Sequence, residues 1–136
     1  MEYIHTDKAP KPIGPYSQAV TTNGFLFISG QLGLIPESMQ LASDVTEQTK
    51  AALANIDEIL LKAGLSRKNI VKMTIFLNNM DDFQQVNIIY ADYFQGQAPA
   101  RSTVGGLSLP MNAKVELEVT AEYETMTGKG KNEPGK

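Results

Sequence analysis

Fifteen positions separate Arg101 from Glu116, and both lie in stretches whose composition suits a strand. Arginine is rare here: the chain has ten lysines but only two arginines, Arg67 and Arg101. Arg67, in "LSRKNI", has the setting of an ordinary exposed charge, whereas Arg101 lies among small residues in "PARSTV". A guanidinium presents a planar fork that grips a carboxylate through two parallel hydrogen bonds, which an ammonium cannot do. A glutamate beside such a bound acid could move protons to and from water. Alternation around Glu116 leaves a plainer alternative, a solvated carboxylate on a polar sheet face. Uncharged polar groups add to the pattern. Tyr16, Ser29 and Gln31 stand beside turn or strand ends, and Asn87 falls within an apolar helical stripe. An unpartnered amide there would cost roughly 1–3 kcal/mol. Each of these groups could equally make a local structural bond.

Other chemistries lack their residues. The chain has no cysteine, which removes disulfides, thiolate metal sites and a thiol nucleophile. The sole histidine, His5, has no partner for a triad or a metal site and is expected at the surface. Gly105-Gly106 lacks the Lys-Ser or Lys-Thr helix start of a phosphate loop. The net charge of −3 draws neither nucleic acid nor anionic lipid, and lysines concentrate only in the C-terminal tail. "MEYIHTDKAPKP" contains no apolar signal core, and no window approaches a membrane span, so a cytoplasmic protein is the expectation.

The elements that must position these residues are legible in the patterning. A length of 136 residues, 42% apolar, fits one domain with a real core, expected over 1–127. "YSQAVTTNGFLFISG" is two apolar runs around Asn23-Gly24, a tight-hairpin signal. Residues 31–42 are expected as a loop, with Gly33 and Pro36 as breakers. From Asp44, with Glu47 at capping-box spacing, Val45, Leu53, Ile56, Leu60 and Ala63 recur at helical period up to Gly64. "NIVKMTIFLN" alternates, placing Val71, Met73, Ile75 and Leu77 on one face of a strand. A second helix is expected from near Asn79 to Phe94, burying Phe83, Val86, Tyr90 and Tyr93 or Phe94, with Gly96 and Pro99 beyond its end. Strands over about 100–104 and 113–124 complete the order ββ, α, β, α, ββ. "GKGKNEPGK", residues 128–136, is expected as a disordered tail. Such an order suggests one sheet with both helices on one face. In the last strand Val115, Leu117, Val119, Ala121 and Tyr123 would face the helices. Lys114, Glu116, Glu118, Thr120, Glu122 and Glu124 would face away.

Five segments, "IGPYSQAV", "LFISGQLGLIP", "VKMTIFLNNMDDFQQVNIIYADYF", "PARSTVGG" and "KVELEVTAE", together resemble the RidA (YjgF/YER057c/UK114) family, colinearly over residues 3 to 124. The resemblance implies an α+β fold like chorismate mutase of the bacillus type, with a mixed, largely antiparallel sheet and two helices on one face. It also implies a homotrimer with a barrel-like centre and sites in the clefts between neighbouring subunits. By the same resemblance Arg101 grips a substrate carboxylate and Glu116 activates water. Tyr16, Ser29, Gly30 and Asn87 line the pocket, as does Thr103, which stands where the family often has Cys. "PESMQL" departs from the Gly-containing turn of many members. The implied activity is a 2-iminobutanoate/2-iminopropanoate deaminase, hydrolysing 2-imino acids to 2-keto acids and ammonia without metal or coenzyme. Relatives described as endoribonucleases or translation inhibitors, and relatives that keep the trimer as non-catalytic binders of small acids, set the alternatives. Retention of both Arg101 and Glu116 favours the enzyme.

Overall fold

The structure, a computed structural model, describes residues 1–124. The tail expected at 128–136 lies outside them. In chain order the elements are β1 (Glu2–Ile4), β2 (Ala19–Thr22), β3 (Phe25–Leu32), β4 (Leu34–Ile35), β5 (Gln40–Leu41), α1 (Val45–Lys62), β6 (Ile70–Leu77), α2 (Phe83–Phe94), β7 (Ala100–Val104) and β8 (Val115–Glu122). Six strands form one sheet in the order β1-β2-β3-β8-β6-β7, and β4 pairs with β5 in a separate small hairpin. Every pair in the large sheet is antiparallel except β6–β7. That exception follows from connectivity, because a parallel pair needs a crossover and α2 supplies it.

Local chemistry sets the boundaries. Asn23 and Gly24 take positive φ between the paired Thr22 and Phe25, which closes β2 onto β3. Asp44 accepts a hydrogen bond from the Glu47 backbone N–H (2.8 Å) and caps α1. Asn79 caps a short 3-10 turn that leads into α2. At its other end α2 stops at Gln95, which is left-handed (φ 51°), one residue before Gly96. One apolar core fills the space between helices and sheet. Val45, Leu53, Ile56 and Leu60 of α1 and Val86 and Tyr90 of α2 pack there with Leu26, Ile28, Met73, Ile75, Leu117 and Val119. No helix among the described residues is long and apolar enough to cross a membrane.

Several expectations change. β1 pairs with β2, although three residues are too few to show a pattern. The segment 31–42 is not all loop: β3 runs on to Leu32, and the β4–β5 hairpin builds a second apolar cluster from Leu32, Leu34 and Ala113. Gly33 belongs to that packing, since any Cβ there would collide with the Gln48 backbone of α1. Val71 does not join the buried face. A register shift between Ile70 and Lys72 against β8 turns Ile70 inward and leaves Val71 39% exposed. Nor is Arg67 an ordinary surface charge. It donates to Asp57 (2.7 Å) and to the Tyr93 carbonyl (2.8 Å), and it stacks on the Tyr93 ring. The face away from the helices is less polar than alternation suggested, because Phe25, Phe27 and Val104 are exposed alongside the glutamates.

Candidate active site

Two groups of side chains are assembled, one on each face of the sheet. On the open face the organising feature is a bulge. β3 and β8 are in register at Ile28 and Val119 and again at Gln31 and Leu117, so β3 carries one extra residue between those points. The extra length falls at Ser29 and Gly30. Ser29 is fixed through its N–H to the Gln18 carbonyl (2.9 Å) and through its hydroxyl to the Ser17 carbonyl (2.6 Å). Gln31, buried, donates back to the Ser29 carbonyl. Gly30 lies against Glu116: a Cβ there would sit 2.5 Å from Glu116 Oε2. The bare backbone therefore makes room for that carboxyl.

Val115 and Leu117 are buried under the helices, so Glu116 between them opens to the other side. It borders a cavity of about 490 Å³ that Tyr16, Ser29, Gly30, Lys11 and Glu118 also line. Partial burial holds the Glu116 proton affinity above the ordinary carboxylate range, and the neighbouring Glu118 charge adds to the effect. Tyr16 closes the outer wall, where its hydroxyl accepts from the Ile13 N–H (3.3 Å). Gln18, 1% exposed, ties this loop down. Its amide donates to the carbonyls of Thr6 (3.0 Å) and Pro10 (2.9 Å) and accepts from the Thr6 N–H (2.8 Å).

Arg101 occupies the opposite face, on β7, an edge strand of the sheet. It pairs with Met73, and Thr103 with Ile75, both buried partners under the helices, so these two side chains point towards α2. Arg101 Nη1 donates to Asn87 Oδ1 at 2.8 Å. The guanidinium also lies over the rings of Tyr90 (4.8 Å) and Phe83 (5.4 Å). Residues 83, 87 and 90 recur on one side of α2 and form a cradle that fixes the arginine. A shallow cavity of about 410 Å³ beside it is lined by Asn87, Tyr90, Phe94, Pro99 and Arg101. Thr103 Oγ1 and Tyr90 Oη are buried without a hydrogen-bond partner among the described residues. Burial raises the proton affinity of Tyr90, and the Arg101 charge partly opposes this.

The structure thus brings Tyr16, Ser29, Gly30 and Glu116 together, and separately Asn87, Arg101 and Thr103. It does not join Arg101 to Glu116 within one chain. His5 is exposed, 3.1 Å from Asp7, and lines neither the Glu116 cavity nor the Arg101 cavity. Glu118, Lys11 and Gln18 are constituents that sequence reasoning did not single out. For Glu118 the signal was present, two positions from Glu116 on the same face of an alternating strand. Chemically, a half-buried carboxyl with raised proton affinity can exchange protons with water, and a guanidinium held by an amide and two rings can orient a small acid.

Comparison with known proteins gives a consistent picture. Residues 6–123 match the family model described as Endoribonuclease L-PSP. A RutC family protein of Aquifex aeolicus is 52% identical over 123 residues, covering 89% of this chain and 98% of that one. The 2-iminobutanoate/2-iminopropanoate deaminase of Mus musculus is 50% identical over 119 residues, covering 87% and 88%. Among solved structures, E. coli TdcF with bound serine superposes with a TM-score of 0.88 at 36% identity, covering 91% of this chain and 100% of that one.

Proposed function

Because the chain belongs to the Endoribonuclease L-PSP (YjgF/RidA) family, we propose that it hydrolyses 2-imino acids, such as 2-iminobutanoate and 2-iminopropanoate, to 2-keto acids and ammonia. The observation that carries the reading is Glu116, a half-buried carboxyl with raised proton affinity on a cavity wall, cleared by the absence of a side chain at Gly30. Arg101 binds the substrate carboxylate with its fork, in the orientation that Asn87, Phe83 and Tyr90 impose. Fixing the acid in this way makes attack on the C=N carbon effectively intramolecular. Glu116 takes a proton from water as the oxygen bonds to C2 of the protonated imine. The resulting carbinolamine carries one hydroxyl and one amine. Glu116 returns the proton to the amine, and the C–N bond breaks as the hydroxyl proton passes to the freed Glu116 carboxylate. Keto acid and ammonia leave, the ammonia taking that proton as ammonium and restoring the base.

Arg101 and Glu116 face opposite sides of one sheet, so the site is completed between copies. We place the Arg101 edge of one copy against the open face of the next, in a homotrimer of the chorismate mutase-like kind. Phe27 (43% exposed) and Val104 (42%) supply apolar surface for such a contact. RNA cleavage is the weaker reading, since the chain carries a net charge of −3 and its one histidine lines neither cavity and has no partner histidine for acid–base cleavage.

A coupled assay tests the function. Threonine dehydratase generates 2-iminobutanoate, semicarbazide competes for it, and hydrolysis appears as lost semicarbazone. Wild type should suppress semicarbazone, and Glu116→Gln should lose that suppression by roughly 10²-fold, the scale of a missing general base. By calorimetry Glu116→Gln should still bind 2-oxobutyrate, while Arg101→Ala loses binding and hydrolysis together. Full hydrolysis by Glu116→Gln would show that another group activates the water.

A further inference from the structure

We propose that Glu118, which the hydrolysis above does not use, acts through Glu116 as a positioning residue, its charge on the shared cavity wall helping that carboxyl to serve as base and then as acid. The inference rests on the reading of Glu116 as the proton-exchanging group. Glu116 and Glu118 are alternate residues of β8 on one face, which sets their Cβ atoms roughly 6.5 Å apart. Both border the same cavity. Glu118 also lines a neighbouring cavity of about 370 Å³, with Phe27, Ser29 and Thr120, so its carboxylate stands at the partition between the two.

The other groups around Glu116 act in the opposite direction or not at all. From the loop before β2, Lys11 and Tyr16 line its cavity. Lys114 precedes it by two positions, just before β8, and is exposed. β3 offers Ser29, Gly30 and Leu32, and β6 offers Phe76, none of them charged. Val104 of β7, next along from Phe76, is likewise apolar. In the assembly proposed above, Arg101 of the adjoining copy faces it as well. A cation on the cavity wall, such as Lys11 or Arg101 of the adjoining copy, would favour the ionised carboxylate. Burial favours the protonated form most strongly, and the Glu118 charge adds to it.

Imine hydrolysis explains why that balance matters. The same carboxyl must remove a proton from water and, one step later, deliver it to an amine. A carboxyl with the ordinary proton affinity would be a weak base and, once ionised, would hold almost no proton to give back at neutral pH. Cations on the cavity wall without a counterweight would push Glu116 towards that condition. Glu118 supplies the counterweight from an exposed position on the same strand face.

The test uses Glu118→Gln, which removes the charge and keeps the size. Carbon-13 NMR of the glutamate carboxyls, with the Glu116 signal assigned by its loss in Glu116→Gln, gives the protonation midpoint directly. In Glu118→Gln that midpoint should fall by on the order of 0.5–1 pH unit. The acidic limb of kcat/KM should move to lower pH by the same amount, because Glu116 then ionises more readily. Glu118→Asp should retain most of the wild-type midpoint and limb. A midpoint that stays put in Glu118→Gln overturns the proposal even where hydrolysis is intact. A midpoint that shifts in a protein without imine hydrolysis overturns the proposed function and leaves the coupling between the carboxylates established.

Discussion

At the scale of single residues, Gly30 decides whether Glu116 can stand where it does. Its backbone lies so close that a methyl group would be 2.5 Å from Oε2 and 2.9 Å from Cδ of the glutamate. Gly30→Ala should therefore fold, since its φ is not positive, and should push the Glu116 carboxyl aside. Imine hydrolysis should drop by roughly 10²-fold, the usual effect of displacing a reacting group by about 1 Å. Calorimetric binding of 2-oxobutyrate and the melting temperature should stay near wild type. Undiminished activity would mean that Glu116 works from another rotamer. The residue types at this site were legible in the sequence, because an arginine in a lysine-rich chain and a glutamate in an alternating strand both stand out. The contact between Gly30 and Glu116 was not. It depends on the extra residue in β3, and a register between strands so far apart in the chain leaves no mark in either strand alone.

At the scale of elements, buried amides hold the site's walls to the helix layer. Asn55, 2% exposed in the middle of α1, donates to the carbonyls of Leu32 (3.2 Å) and Leu34 (2.9 Å). Gln48, about two turns earlier, donates to the Ala42 carbonyl and accepts from the Lys114 N–H that leads into β8. These bonds fasten both strands that frame the Glu116 cavity. Asn55→Ala leaves two strand-end carbonyls without their donor, at a cost of about 1–3 kcal/mol. A urea titration should show the corresponding fall in midpoint, and amide exchange should quicken at residues 32–34 before it does in β6. Loss confined to α1 would assign Asn55 to the helix alone. The apolar period of α1 was readable, but its polar clamps were not, because Asn and Gln in a helix look the same whether they meet water or a distant carbonyl. Arg67 was misjudged for the same reason. Its partners, Asp57 and Tyr93, lie 10 and 26 residues away.

At the scale of the whole molecule, the division of charged groups between two faces is what the proposed assembly would resolve. A chain acting alone would present an arginine without a base and a base without an arginine. Phe25, Phe27 and Val104 lie exposed on the open face, apolar surface that the proposed neighbour would cover. Alternation in β8 identified that face as distinct, yet it was read as polar because the phenylalanines come from β3, outside the strand being read.

The separation of Arg101 from Glu116 has a consequence that mixing can expose. Arg101→Ala chains retain the base, and Glu116→Gln chains retain the acid grip, so two inactive proteins carry complementary halves. Unfolded together and refolded, they should recover activity that neither has alone. In a ring of three, any mixed composition restores one junction, so random equimolar assembly should give about a quarter of wild-type specific activity. Sedimentation equilibrium on the same sample should give three times the chain mass. No recovery in a hybrid of that mass would place the arginine and the glutamate in separate sites, and the inheritance of each site from two parents would be refuted.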